Sequence, residues 1–438
     1  MKLHAKLFGL LGFFLSINQG FTVVLGVLQD GTARGADVIM PMDLPLYLLL
    51  IFKRDQTVNS GYRPLALFAK TAVFLFLLLA LAGLFFAFEP AQYRFKLVHL
   101  LRSLLVFYVV MTRLSTKQDV KSLANGLAAG LLFHSAIGFW QWQIGPVHLP
   151  FYNIEQDWRV TGAIGIANAF GAYIVTLLPL SIRLALFMRW KIRYLWYVTS
   201  VFAIGSLFAT YTRSAWLGFS LSMILLGSYD FKSKKLDRNQ KMLFIAAAIA
   251  MVSLMAFKYG HVITDRMADS REAIVSDKKH SRAGLAKDAM RIIGEHKLLG
   301  VGLDNYRYHA DREIQGLQIV HNAYLLIAAE QGIPAVVIFI ALNLTLLVAG
   351  FRLLKSKDRL IYHVGSATLA GLIALLFYHL AAPDYRLLEV LVQQWRLAGM
   401  IVGLLVADEQ IQKAQARGRR PWHRPVVRPY RADGRFRA

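Results

Sequence analysis

The stretch HNAYLLIAAEQGIPAVVIFIALNLTLLVAGF, residues 321–351, decides the class of fold. Its only acidic residue is Glu330, and it contains neither lysine nor arginine. A transmembrane helix needs about 20 mostly apolar residues to cross roughly 30 Å of hydrocarbon, so this stretch is long enough to span a bilayer. Similar apolar runs recur along the 438 residues, of which 56% are hydrophobic and 17% charged. The chain is therefore predicted to be an all-α, polytopic transmembrane helical bundle.

Length and polarity predict about twelve spans. They lie near residues 7–28, 38–53, 66–88, 96–113, 122–145, 163–188, 195–211, 213–229, 242–258, 321–351, 361–381 and 388–407. We assign residues 1–258 to transmembrane helices 1–9, residues 321–407 to helices 10–12, and residues 408–438 to a basic, disordered cytoplasmic tail. Residues 259–320 form one large external loop with amphipathic helices, and loops of this length are usually functional or disordered.

The net charge of +24 is concentrated in alternate short connections. Basic residues gather around 53–63, 113–121, 189–193, 232–238 and 352–359, whereas the intervening short loops hold few. This alternation follows the positive-inside rule and places both termini in the cytoplasm. It also argues against nucleic acid as a partner, which the same charge would suggest in a soluble protein. The chain has no cysteine, so disulfide and thiolate chemistry are excluded.

Within the long loop, residues 281–295 (SRAGLAKDAMRIIGE) show helical periodicity. The predicted apolar face consists of Leu285, Ala289, Ile292 and Ile293. Arg282 falls in the middle of that face, so we expect it to point inward, where an anionic partner would neutralise it. The alternative is an arginine in the first turn of a surface helix, extending to bulk water.

His321 stands where the long loop enters a strongly apolar span. An imidazole titrates near neutral pH and can accept a proton from a sugar hydroxyl. The alternatives are a histidine that is merely hydrogen-bonded at the membrane boundary, or another loop histidine in the same role, from the set His261, His280, His296 and His309. Glu330 would lie about 13 Å deeper on the opposite side of the helix. It is therefore expected to pair with a buried cation, Arg102 or Arg396, rather than with His321.

Arg213 lies at the turn between two adjacent spans, with Thr210, Thr212 and Ser214 nearby. A guanidinium at a helix N-terminus can bind a phosphate through two hydrogen bonds, aided by backbone N–H groups. An arginine that only extends to the interface is the alternative. Arg159, in another external loop, has weaker support. The sequence contains no metal-binding motif and no phosphate-binding glycine loop.

Four stretches carry a resemblance to a known family. RVTGAIGIANAFGAY (159–173), TYTRSAWLG (210–218), HKLLGVGLDNY (296–306) and VHNAYLLIAAEQGIP (320–334) resemble, in order and spacing, the motifs of bacterial O-antigen ligases and the related O-antigen polymerases. Lys297 departs from the family, which often has proline at this position. We expect this difference to affect a turn and not the residues that would carry out the reaction.

The resemblance implies a glycosyltransferase of the GT-C type in the inner membrane of a Gram-negative bacterium, with a periplasmic active site in lipopolysaccharide biosynthesis. Such ligases move a glycan from undecaprenyl diphosphate to a sugar hydroxyl of lipid A–core, inverting and without a metal or other cofactor. Carried onto this chain, His321 would be the general base. Arg213 and Arg282, with Arg159 as a third candidate, would bind the diphosphate.

Two alternatives stay open. The first is an O-antigen polymerase or a protein O-oligosaccharyltransferase of the same superfamily, which differs only in the acceptor. The second is a transporter of lipid-linked sugar, which would need basic residues along a path through both leaflets. Because the acceptor must enter from the membrane, we also expect a lateral opening under the long loop.

Overall fold

The computed structural model describes residues 2–16, 23–24, 37–51, 55–149, 152–154, 159–187, 192–232, 281–311 and 319–418. Its helices are α1 (Lys2–Ser16), α2 (Asp43–Ile51), α3 (Arg63–Gly83), α4 (Pro90–Arg113), α5 (Lys117–Gln143), α6 (Ala167–Phe187), α7 (Ile192–Ala209), α8 (Arg213–Lys232), α9 (Arg282–Glu295), α10 (Tyr306–His309), α11 (Ala323–Leu353), α12 (Arg359–Tyr378) and α13 (Leu388–Gly418).

Strands are confined, in the part of the chain described, to two short antiparallel hairpins. Val23–Val24 (β1) pairs with Asp37–Ile39 (β2), and Val147–Leu149 (β3) pairs with Tyr152–Ile154 (β4). Short 3-10 turns occur at Thr57–Asn59, Leu84–Phe86, Gly162–Ile164 and Asp384–Arg386. The predicted helical bundle is confirmed, since the long elements are all helices.

Eight helices of the described part are long and apolar enough to cross a membrane: α3, α4, α5, α6, α7, α11, α12 and α13. The predicted span at 38–53 contains a helix of only nine residues, α2. Nine residues rise about 14 Å, half of a hydrocarbon core, so α2 does not cross it alone. The predicted span at 242–258 lies outside the described residues, and the total of about twelve stays a prediction.

The helices alternate in direction, so the bundle has two distinct ends. At the end that we call the basic end, Lys117 forms an ion pair with Asp358. There too, Ser60 donates a 2.5 Å hydrogen bond to Glu409. The other end, called the distal end, contains the starts of α8 and α11 and the end of α12. At this end the Ala323 amide, at the start of α11, donates to the His379 carbonyl, just after α12, at 2.8 Å.

The last helix corrects one boundary. Residues 408–438 were predicted to be a disordered tail, but α13 continues to Gly418. Asp408 explains why, because its carboxylate accepts a 2.6 Å hydrogen bond from the Ser356 hydroxyl and a 2.8 Å bond from Gln412. These contacts attach the last turns of α13 to the bundle. Residues 419–438 of the predicted tail lie outside the described part.

A kink divides α11 at Gly332, whose φ of 87° is unfavourable for any residue with a side chain. Pro334 lacks an N–H, so the carbonyl of Glu330 loses its helical partner. A loop segment replaces the missing bonds: the Gly302 amide donates to the Glu330 carbonyl at 2.8 Å, and the Val301 amide donates to the Ala329 carbonyl at 2.9 Å.

Glycine is required on both sides of this contact. A Cβ on Gly332 would collide with the backbone of Leu298, and a Cβ on Gly300 would collide with the backbone of Glu330. The Ile333 amide, freed by the kink, donates to the Lys297 carbonyl at 2.8 Å. Two stretches far apart in the sequence, LLGVG and EQGIP, are thus the two halves of one backbone interface.

Candidate functional site

His321 lies at the distal end, two residues before the first residue of α11. Asn322 caps the helix by accepting a 3.0 Å hydrogen bond from the Leu325 amide. The amide side chain of Asn322 also donates to the Leu380 carbonyl at 3.1 Å. Together with the bond between Ala323 and His379, these contacts attach the start of α11 to the connection between α12 and α13. These hydrogen bonds fix the backbone that carries the His321 ring.

Two causes lower the pKa of His321 below its ordinary value of 6.5. Burial is the larger one, because a half-buried imidazolium loses hydration. The nearby Arg282 guanidinium is the second, and the Ile319 backbone acts in the opposite direction. The Nδ1 atom is buried and makes no hydrogen bond with the described residues. His321 is consequently neutral at neutral pH and able to accept a proton.

Arg282 begins α9, where Ser281 caps the helix by accepting a 3.1 Å hydrogen bond from the Gly284 amide. The predicted buried face of α9 is confirmed: Leu285, Ala289, Ile292 and Ile293 are buried. The expectation that Arg282 points inward is wrong, because its side chain is exposed. The cap explains the difference, since a first-turn residue lies at the edge of the packed face, where the long side chain can reach solvent.

Asp288 fastens α9 to the rest of the loop. It accepts a 2.7 Å hydrogen bond from Arg291, and its other oxygen lies 3.4 Å from the Tyr306 hydroxyl. The amide of Asp311 also donates to Asp288 at 3.3 Å. Because this carboxylate is nearly buried, it joins three segments of the loop and holds the start of α9 near His321.

Arg213 is the first residue of α8 and is half-buried. The turn before it is tight: Tyr211 adopts a φ of 51°, which non-glycine residues seldom do. Arg159 supports this turn through hydrogen bonds to the Thr210 carbonyl at 2.7 Å and the Thr212 hydroxyl at 3.0 Å. It also donates to the Asn168 side chain at 2.6 Å. Arg159 thus lies beside the Arg213 turn, and these three hydrogen bonds are directed into the protein.

The connection between α12 and α13 lies near both the Arg159 turn and the His321 segment. Asp384 lies on it, and burial raises the pKa of this carboxyl, while the Tyr378 hydrogen bond, Arg159 and Arg386 act in the opposite direction. The same connection holds the start of α11 through His379 and Leu380. Arg159 and His321 therefore both lie near this nine-residue connection, residues 379–387, and Arg213 and Arg282 lie at the same end of the bundle.

A comparison with known protein families finds a match for the segment that contains most of these residues. Residues 198–340 match a family model described as O-antigen ligase. The match covers about a third of the chain, and we call this segment the O-antigen ligase domain after the family that it resembles. The matched segment contains Arg213, Arg282 and His321, whereas Arg159 precedes it. A search of curated proteins found no match.

Glu330 of this segment has a partner that the sequence did not suggest, and that partner lies outside residues 198–340. Glu330 was expected to pair with Arg102 or Arg396, but Arg102 binds Asp43 at 3.0 Å and Arg396 donates to Gln393 at 2.8 Å. Glu330 instead lies 3.6 Å from the Arg386 guanidinium. Arg386 also forms an ion pair with Asp304 of the loop. The sequence could not suggest this pair, because residues 330 and 386 are far apart along the chain and only tertiary packing brings them together.

Other loop histidines were alternatives to His321. His296 and His309 of the O-antigen ligase domain pack edge to face, with ring centroids 5.3 Å apart. Burial lowers the pKa of His309, and His296 adds to that effect. Neither is at the start of a span. His261 and His280 lie outside the described residues. Among the residues described, no group of three or more histidine, aspartate or glutamate side chains is arranged to hold a metal ion.

Proposed function

We propose that this protein transfers an O-antigen glycan from undecaprenyl diphosphate to a sugar hydroxyl of lipid A–core. The reaction would be inverting and metal-independent and would belong to lipopolysaccharide biosynthesis. The observation that carries the proposal is a neutral, half-buried His321 beside the exposed Arg282, within the O-antigen ligase domain. A base next to a cation suits a reaction in which a hydroxyl attacks a sugar phosphate.

In the proposed step, the acceptor oxygen attacks the anomeric carbon of the glycan while His321 takes the hydroxyl proton. A bond forms between these two atoms, and the bond from the anomeric carbon to the diphosphate oxygen breaks. The electron pair leaves with undecaprenyl diphosphate. Attack from the face opposite the leaving group inverts the anomeric centre. A positioned base contributes about 10²–10⁴-fold to such a step.

Arginine is the residue type suited to the leaving group. A guanidinium keeps its charge and can donate two parallel hydrogen bonds to phosphate oxygens. Arg282 is exposed and makes no hydrogen bond or ion pair with another described residue, so none of those residues competes with a diphosphate for its guanidinium. Arg213, at the N-terminus of α8, would add its own charge and the backbone N–H groups of the helix.

Arg159 is proposed as the third diphosphate-binding candidate, with an added supporting role. Its contacts with Thr210 and Thr212 hold the turn from which Arg213 projects. The proposed periplasmic location rests on the two ends of the bundle. Basic connections gather at one end, the expected cytoplasmic side, and the His321 site lies at the other.

Membranes of a Gram-negative bacterium that lack the activity, supplied with lipid-linked O-antigen and lipid A–core, would test the proposal. The wild-type chain should attach glycan to lipid A–core, with and without a chelator. Arg213→Ala and Arg282→Ala should each abolish most of the product. Arg352→Ala is the matched control, because Arg352 is exposed at the basic end, and it should retain activity.

The products separate the alternatives. Longer lipid-linked glycan without modified lipid A–core would identify a polymerase, and glycan attached to protein would identify a protein O-oligosaccharyltransferase. Unmodified glycan crossing the bilayer would identify a transporter. Loss of activity with chelator, restored by a divalent metal, would contradict the metal-independent mechanism.

A further inference from the structure

Large apolar side chains are exposed beyond the end of α3 and on the loop that precedes α11. The exposed fractions are 84% for Phe85, 67% for Phe86, 67% for Phe88 and 72% for Leu298. We call these four residues the boundary patch. Proteins in water seldom expose several large apolar groups together, so a patch of this kind marks a surface that contacts something apolar.

The patch continues two lipid-facing stripes. On α11, the stripe of exposed residues consists of Ile333, Val337, Ile340, Leu344, Val348 and Phe351. On α3, it runs from Leu67 through Phe74 and Leu78 to Leu81 and Phe85. The two helices pack together, with the rings of Phe76 and Phe339 6.2 Å apart. The two stripes therefore lie on neighbouring helices.

The two stripes also end at the same height. Eighteen residues separate Ile333 from Phe351, and eighteen separate Leu67 from Phe85, which is about 27 Å in each case at the helical rise. That length is close to the roughly 30 Å of a hydrocarbon core. At the basic end the stripes stop beside Arg352 and Arg63. Their distal limits, Ile333 and Phe85, then mark the opposite edge of the hydrocarbon.

Leu298 lies at this edge. The carbonyl of Lys297 accepts a 2.8 Å hydrogen bond from the Ile333 amide, so Leu298 stands next to the first exposed residue of the α11 stripe. Phe88 joins the patch to the loop, because its ring stacks on Tyr308 with centroids 5.3 Å apart. The first nine residues of α11, which precede Gly332, extend beyond the edge, and residues 281–311 pack around them.

We propose that the boundary patch inserts into the distal leaflet of the bilayer, at the junction of acyl chains and headgroups, and anchors the module of residues 281–311 there. We infer that bulk lipid contacts the patch, because the patch lies next to the distal ends of the exposed apolar stripes on α3 and α11. The anchor would hold Arg282 near the level of lipid headgroups. It does not depend on the proposed glycan transfer.

The chain has no cysteine, so single cysteines can be introduced without first replacing any native cysteine. Leu298→Cys and Phe85→Cys would be labelled with an environment-sensitive fluorophore in the full chain, reconstituted into phosphatidylcholine vesicles. Quenching would be measured with lipids spin-labelled near the headgroup, with lipids spin-labelled in mid-chain, and with aqueous iodide. Glu295→Cys is the water-exposed control on α9, with its side chain 53% exposed. Val337→Cys, on the α11 stripe, is the deep control.

Labels at positions 298 and 85 should be quenched several-fold more by the headgroup-labelled lipid than by iodide. Position 295 should show the reverse, and position 337 should respond most to the mid-chain label. The proposal is overturned if positions 298 and 85 behave like position 295. It is equally overturned if they respond to neither lipid nor iodide, which would mean that protein covers the patch. Correct readings at positions 295 and 337 show that the labelled proteins are folded.

Discussion

The two ends of the bundle use charge in different ways. At the basic end, ionic groups satisfy one another: Lys117 pairs with Asp358, and Glu409 accepts from Ser60 and from the Gly61 amide at 2.9 Å. At the distal end, Arg282 is exposed beside an imidazole whose pKa is lowered. Ion pairs such as those at the basic end stabilise the fold. At the distal end, burial and the charge of Arg282 keep the neighbouring His321 neutral, and that charge is available to bind an anionic substrate.

The same contrast separates two kinds of residue within the distal end. Arg386, Asp304 and Glu330 form an ionic cluster that ties the loop to α11 and to the connection after α12. His321 and Arg282 have no such partners among the described residues. The cluster is expected to set the position of the site, and the His321–Arg282 pair to perform its chemistry.

The largest effect should come from removing His321 at the distal end, with a histidine of the basic end as the comparison. His321→Ala should lower the rate of ligation by about 10²–10⁴-fold, because the proposed general base is lost. His4→Ala, at the basic end, removes a 2.9 Å contact with Asp119 and should leave the rate nearly unchanged. Rates measured with saturating donor and acceptor would check both. Equal losses in the two variants would contradict the assignment of chemistry to the distal end.

A smaller effect should follow from filling the kink of α11. Gly332→Ala forces a side chain into a left-handed backbone conformation and against Leu298, so it should destabilise the fold by about 1–3 kcal/mol or more. Activity should fall with it, since the segment that carries His321 is displaced. Thermal unfolding in detergent is the measurement.

Gly294→Ala is the matched control for the kink. A Cβ at Gly294 would meet nothing within 4 Å, and the residue is helical. Alanine is favoured over glycine in a helix by about 0.5–1 kcal/mol, so this variant should be as stable as the wild type or slightly more stable. A Gly332→Ala protein with unchanged stability and activity would refute the role given to the backbone interface.

The pH dependence of catalysis should report the His321–Arg282 pair. Because the folded-state pKa of His321 is lowered from 6.5, kcat/KM should be flat above pH 6.5 and fall only as the pH drops through the lowered pKa. Arg282→Gln removes a cation, so the pKa should rise and the fall should begin at higher pH. An inflection that does not move in this variant would show that another group titrates.

The smallest effect should come from the basic end. Lys117→Gln removes an ion pair whose lysine is half-exposed, so the loss of stability should be at most about 1 kcal/mol, with ligation unchanged. Asp358→Ala should cost more, because Asp358 also caps α12 by accepting from the Leu360 amide at 3.0 Å. Unfolding midpoints of the two variants, with ligation rates beside them, would show whether this end is purely structural.

Much of the site was accessible to sequence reasoning, and the exceptions share a cause. His321 and Arg213 were found because each stands where an apolar run begins, a local signal. The apolar face of α9 was correct because helical periodicity is local too. Arg282 was predicted to be buried but is exposed. A helical wheel gives the direction of each side chain around the helix axis and does not account for the Ser281 cap at the helix end. Asp384 and Arg386 were missed as site neighbours because nothing in the sequence of a short connection tells which helices it will contact.

The amino-acid sequence alone determined the helical class, most of the long helices and the alternation of basic connections. These properties depend on hydropathy and charge summed over neighbouring residues, which any part of the chain carries with it. Tertiary structure decided that Arg386 pairs with Glu330, that residues 297–302 repair the kink in α11, and that Arg282 lies beside His321. These three contacts join segments that are far apart in the sequence. Their energies depend on which segments the fold brings together, and local sequence patterns do not contain that information.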